Sequence, residues 1–457
     1  MPGLGQRTRI TLKNSTCITM VQYGFMCVVE PASGAACDGP TVAAPAAFQE
    51  AIRQGEGLVS KLRKDGSRGR LIAAVVAVAL PVVLAGGCGG ETAGAGGQAA
   101  PRSASSGDPR SLRGVCPDTV VVQSSWFPEV EHAVAYQLVG AGYRFDAEHK
   151  SLTGPLVSAG VDTGVRVQIR AGGPAIGFQK VSAQLYADPS LTLGMVNSDE
   201  LVQQSTTTPV LGVLAPLDLD PQVVLWDPVA HPDFNTISDI GQSDTKVLFY
   251  QGAPFMDYLL GSGVLRASQV DGSYDGSPSR FVASGGKIAV QGYATNEPFL
   301  YEHEVRQWRR PVRYALINDT GYPNYANMLA IRLRDRDRLS GCLAKLVPIM
   351  QRAQADFMRR PEPAVRLILA AVDAYRGGFF YSRALADDAV DVMAREGIVG
   401  NGGNRTLGDI DADRVKRLIG ILTPILASQR KPLKPGLTVE DLVTNAYIDP
   451  TIGLPQR

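Results

Sequence analysis

Beyond residue 118 the chain alternates between two hydrophobic periods, and that alternation restricts its fold more than any other feature. Short β-branched and aliphatic runs at 119–122, 165–169, 191–196, 210–214, 222–226, 246–250 and 287–290 have the length and composition of buried strands. Segments 130–139 and 176–185, lying between them, carry helical spacing. Strands that alternate with helices form an α/β fold with mainly parallel sheets. After residue 327 the pattern turns helical, at 339–359, 361–375, 384–396 and 411–426, and this tail is expected to pack on the first α/β unit. About 340 residues follow position 114, which suits two domains of ordinary size better than one small core. A formal net charge of +1 gives the chain no electrostatic reason to seek nucleic acid.

A second signal lies upstream. Lys61, Arg63, Lys64, Arg68 and Arg70 precede an unbroken apolar run at 71–85, and Leu84-Ala85-Gly86-Gly87-Cys88 follows. A membrane-spanning helix needs about 20 apolar residues, so this run is too short and reads instead as a signal peptide. The Leu-Ala-Gly-Gly-Cys sequence resembles the lipobox of bacterial lipoproteins, which implies a lipid on Cys88 and cleavage just before it. On this reading residues 58–87 are the signal peptide and 88–114 a flexible Gly/Ala/Ser tether. Residues 1–57 are an extension upstream of a true start near Leu58 or Val59, or disordered chain. Of six cysteines, three then remain in the mature form. Cys88 carries the anchor, and Cys116 and Cys342 are either bridged, as an oxidising compartment favours, or two separate buried thiols.

In open α/β sheets ligands lie beyond the carboxyl ends of the strands. Five of those ends continue into Gln-Ser-Ser-Trp-Phe-Pro-Glu from Gln123, Arg-Ala-Gly-Gly-Pro from Arg170, Asn-Ser-Asp-Glu from Asn197, Gln-Gly-Ala-Pro-Phe from Gln251 and Gln-Gly-Tyr-Ala-Thr-Asn-Glu-Pro from Gln291. Ser, Asn, Thr, Gly and Pro cap helices and leave backbone N–H groups free to face a ligand.

Trp126-Phe127-Pro128-Glu129 with Glu131-His132, Gly172-Gly173-Pro174, Asn197-Ser198-Asp199-Glu200 and Gln291 to Pro298 resemble the substrate-binding proteins of bacterial ABC importers for nitrate, sulfonates, taurine and thiamine-precursor pyrimidines. The resemblance runs from about Pro117 to Leu454. It implies a two-lobed periplasmic-binding fold of the second type, with lobe one at 115–213, lobe two at 214–314, and the hinge return with C-terminal helices of lobe one at 315–457. Strands near 210–217 and 313–318 would cross between the lobes. The implied function is an extracytoplasmic, lipid-anchored receptor that closes around a small organic solute and delivers it to a permease and its ATPase. The receptor is expected to be monomeric and to lie at the outer face of the cytoplasmic membrane.

The candidate ligand contacts are Ser125, Trp126, Gly173, Asn197, Ser198, Asp199, Gly252, Tyr293, Thr295, Asn296, Glu297 and Tyr322. Trp126 offers a flat platform with an N–H donor, and Gly173 permits close backbone approach. Glu297 precedes Pro298 at a helix start, where a carboxylate is favoured with or without a ligand. Only Arg170 lies near these loops, against Glu129, Asp199 and Glu297. Anion sites reward guanidinium groups, so a neutral or partly cationic solute with a flat ring is expected over nitrate or a simple sulfonate.

No cofactor, metal or catalytic residue is expected. The four histidines form no His-x-x-x-His pair, and no Cys-x-x-Cys, Gly-x-Ser-x-Gly or phosphate-loop motif occurs. Two alternatives stand beside import: a lipoprotein that presents its closed form to a membrane receptor, and an enzyme of thiamine-precursor metabolism.

Overall fold

The computed structural model describes residues 7–12, 16–21, 28–31, 102–105 and 107–455. The segment 58–87, expected to be a signal peptide, and Cys88 lie outside the described residues. Within the first 57 residues, Arg7–Leu12, Thr16–Val21 and Val28–Pro31 form a three-stranded antiparallel sheet, although no sustained period is legible there.

From residue 102 the chain builds two sheets. The first contains β1 (Thr119–Gln123), β2 (Arg144–Asp146), β3 (Ser151–Ser158), β4 (Val161–Arg170), β5 (Leu193–Val196) and β6 (Val210–Leu214). The second contains β7 (Gln222–Trp226), β8 (Val247–Leu248), β9 (Val270–Asp271), β10 (Ala289–Tyr293) and β11 (Arg313–Leu316). The chain then returns to the first sheet as β12 (Met328–Arg332).

Strand order reveals how the two halves are related. Along the first sheet β4, β1, β5, β12 and β6 are neighbours, and along the second β9, β8, β10, β7 and β11. In each, the first strand lies between the second and third and parallel to both, while the strand that has crossed from the other lobe separates the third from the fourth and runs antiparallel to its neighbours. The same order twice, with each lobe borrowing one strand, defines a periplasmic-binding fold of the second type.

Two sequence expectations need correction. The sheets are mixed rather than mainly parallel, because the crossing strands and the β2–β3–β4 antiparallel meander run against the rest. That meander was hidden because Gly154 and Pro155 interrupt the apolar run that marks a strand. Residues 102–114 are not free tether: Arg102–Ser103 pairs in parallel with β4, and Leu112 is fully buried.

The helices of the α/β part are short: α1 (Ala133–Tyr136), α2 (Val181–Ala187), α3 (Ser198–Gln203), α4 (Ile237–Gln242), α5 (Pro254–Gly261), α6 (Ser279–Ala283) and α7 (Glu297–Phe299). The C-terminal set is longer: α8 (Arg336–Arg359), α9 (Glu362–Tyr375), α10 (Arg383–Arg395) and α11 (Ala412–Ser428). Apolar residues of α8, α9 and α10 join the core of lobe one, and Cys342 of α8 is disulfide-bonded to Cys116 just before β1. Helix α11 departs from the expected placement on lobe one alone. Its Leu418, Leu422 and Leu426 share one core with Leu201 and Val202 of α3 and with Phe255, Met256 and Leu259 of α5. Gly261 at the end of α5 admits Ile425 so closely that a Cβ there would lie 2.7 Å from its Cγ1. Just beyond α11, Lys431 pairs with Asp257 of α5 at 2.6 Å.

Candidate functional site

Between the lobes, the loop after β1 meets the loop after β10. The first turns at Ser124–Pro128 and leads Glu129, Glu131 and His132 inward at 3%, 2% and 0% exposure. The second carries Tyr293, Thr295, Asn296 and Glu297 into the start of α7. They touch directly, since the Thr295 hydroxyl donates to Glu131 Oε1 across the lobes. Glu297 folds back on its own loop and accepts from the Tyr293 N–H at 2.6 Å and from the Tyr274 hydroxyl at 3.4 Å. Asn296 caps α7 without a side-chain bond.

Electrostatics here are one-signed. Burial raises the carboxyl of Glu129 well above its ordinary value, and the neighbouring Glu131 and Glu297 raise it further. Burial also raises Glu131, against the opposing bond from Thr295. Glu297 is pushed up to about 7 by burial, with Glu131 adding repulsion. His132 does not compensate, because burial pushes its imidazole down to about 3 and so leaves it neutral.

Ser125 and His132 approach the geometry of a nucleophile and its base, but the orienting carboxylate is misplaced. Ser125 Oγ donates to Asn327 Oδ1 at 2.6 Å and lies 3.0 Å from His132 Nε2. Glu129 lies 3.9 Å from the same nitrogen, not from Nδ1 where an orienting carboxylate belongs.

Asn197, Ser198 and Asp199 form a group of their own at the hinge. Asn324, on the return crossing, accepts from Ser198 Oγ at 2.7 Å and from the Asp199 N–H at 2.9 Å, and donates to Asp220 of the outgoing crossing at 2.6 Å. Asn197 Oδ1 accepts from the Asn327 N–H at 3.0 Å. Asp199 is pushed up to about 7 by burial and by Asp220 beside it. Arg414 of α11 closes the joint, donating to Asp218 O at 2.6 Å and Pro323 O at 3.1 Å and lying over the Tyr325 ring.

Other expected contacts lie elsewhere. Tyr322 is 1% exposed, stacks on Tyr258 with centroids 4.6 Å apart, and donates to Asp199. Gly252 sits exposed in a left-handed turn of lobe two. Gly173 has φ +56° and supports the Trp126 ring, which a Cβ would strike. Trp126 in turn packs beside Phe178, and Phe178 beside Tyr250 of lobe two, whose hydroxyl donates to Phe178 O at 3.1 Å. Glu131, His132 and Asn327 are the cleft residues that sequence reasoning did not select. The signal that points to the first two is the dense carboxylate run after Trp126 with no lysine or arginine from Gln123 to Tyr143.

No family model matches the chain, and no curated protein matches it by sequence. Among solved structures, it is similar to the periplasmic aliphatic sulphonate binding protein SsuA from Escherichia coli, at 12% identity over 75% of this chain and 96% of that one, with a TM-score of 0.46. The alkanesulfonate-binding protein SsuA from Xanthomonas axonopodis pv. citri, bound to MOPS, gives 13%, 72%, 99% and 0.46 by the same measures. The periplasmic nitrate-binding protein NrtA from Synechocystis PCC 6803 gives 10%, 69%, 90% and 0.37.

Proposed function

We propose that this chain is the solute receptor of an ABC importer, lipid-anchored through Cys88 outside the cytoplasm, which closes around a small organic solute and presents it to a permease. The observation that carries this reading is the meeting of Glu131 from lobe one with Thr295 from lobe two in a buried polar cleft between two lobes of identical strand order. A solute that contacts both lobes favours the closed arrangement over the open one by its difference in affinity, and only the closed form then needs to be recognised by a permease. The Cys116–Cys342 bridge supports an oxidising compartment. The placement of Glu129 beside His132 Nε2, on the side that faces Ser125, supports binding over serine-based turnover.

A thermal-shift screen of the purified full chain tests the proposal, paired with small-angle scattering. A cognate solute at 100 times Kd adds about 2.7 kcal/mol of stability and reduces the radius of gyration. Consumption of the solute without any permease or nucleotide would overturn the receptor reading.

A further inference from the structure

Resting on that receptor reading, we infer that the solute is an organic cation, its positive group held among Glu129, Glu131 and Glu297 and a hydrogen-bonding group of the same molecule held at Asn327. Three observations lead there. First, carboxylates from both lobes converge, and among the described residues none of the three pairs with lysine or arginine; the only basic group in contact is the neutral His132. Burying ionised carboxylates together without a cation costs several kcal/mol per group, and a cationic ligand supplies the missing partner.

Second, two buried polar atoms there have no partner. Glu131 Oε2 is unbonded although its companion Oε1 is taken by Thr295, and Asn327 Nδ2 is unbonded although Oδ1 is taken by Ser125. Glu131 is 2% exposed and Asn327 1%. Buried polar atoms in folded proteins are nearly always satisfied. Asn327 is joined through Ser125 and His132 to Glu129, on which the charge of Glu131 acts. An unpartnered acceptor on Glu131 and an unpartnered donor on Asn327 describe a solute with an ammonium or amidinium group and a separate polar group.

Third, the carboxylates do not converge tightly enough for a bare metal: among the described residues no group of three His, Cys, Asp or Glu side chains is arranged to hold an ion. The spacing suits a larger, delocalised or alkylated charge.

Choline and benzylamine are the cationic probes, with ethanesulfonate and nitrate as anions and uracil as a neutral ring, each titrated calorimetrically into the full chain. A cation is expected to bind, and Glu131→Gln or Glu297→Gln, one in each lobe, to weaken it about 30-fold or more. The exposed Glu148→Gln serves as control and leaves binding unchanged. Both cleft substitutions keep side-chain shape and relieve repulsion, so unliganded melting temperatures equal to or above the parent's certify the fold. If anions or uracil bind and cations do not, the cation inference falls and the receptor reading stands. Cation binding that survives both substitutions also overturns the inference. Absence of binding by every probe overturns both.

Discussion

Asp199→Asn isolates the cost of the buried acid pair at the hinge. Asp199 is 1% exposed, accepts a 3.0 Å bond from the Tyr322 hydroxyl through Oδ2, and has no partner for Oδ1. Burial and Asp220 raise it from 3.8 to about 7. The folded chain therefore holds this proton more tightly than the unfolded one. Its contribution to stability is complete below pH 3.8 and is lost as pH rises to about 7, above which the native state carries a buried charge. A rise of about 3 in pKa, at about 1.36 kcal/mol each, sets a ceiling of about 4 kcal/mol. Asp220 shares the repulsion, so a difference of about 2 to 4 kcal/mol is expected. Asparagine preserves the bond from Tyr322 but cannot ionise. Urea unfolding of parent and variant, followed by tryptophan fluorescence from pH 4 to pH 8 in steps of about 0.5, should show near-equal stability at the acid end. The variant should then pull ahead steadily until about pH 7. A gap between the two proteins that stays the same at every pH would refute the reasoning, since it would mean Asp199 is ionised, or neutral, throughout.

Two other perturbations address the frame. Asn324→Ala removes three hydrogen bonds and leaves Asp220 and Ser198 without their partner, so a loss of about 3 to 5 kcal/mol is expected in the same urea assay. Asn324→Asp, placing a third acid beside Asp199 and Asp220, should be worse at pH 8 than at pH 5. Cys342→Ala opens a loop with a sequence separation of 226 and should cost about 5 kcal/mol in the chain-entropy account, read as a lower urea midpoint. A midpoint unchanged by reductant in the parent protein would contradict that value.

Part of the frame was legible because several buried strands, such as Thr119–Gln123 and Gln222–Trp226, are valine-rich runs, whereas the equally buried Met328–Arg332, with one β-branched residue, was not read as a strand. Residues 210–214 and 222–226 were read with the bounds they have. The four C-terminal helices also fall within a few residues of their expected limits, each having an apolar stripe of period 3.6. What stayed hidden depends on partners distant in sequence. Glu131 looks like a surface carboxylate until Thr295, 164 positions away, is placed against it. Ser198 and Asp199 read as a helix start facing a ligand, and only the return of the chain at Asn324 turns them toward the hinge. The amphipathic stripe of α11 says that one side is covered, not that two different lobes cover it.

Helix α11 alters what opening the cleft requires. With Leu418, Leu422 and Leu426 in a core shared by α3 and α5, Ile425 seated on Gly261, and Arg414 gripping both crossings, lobe two cannot swing on two flexible strands alone. It must slide α5 along a helix that is also fastened to lobe one. Packed helices shear by small steps, so in the receptor proposed above the friction of that sliding contact, as much as the cleft's own grip, would govern how quickly a cargo leaves.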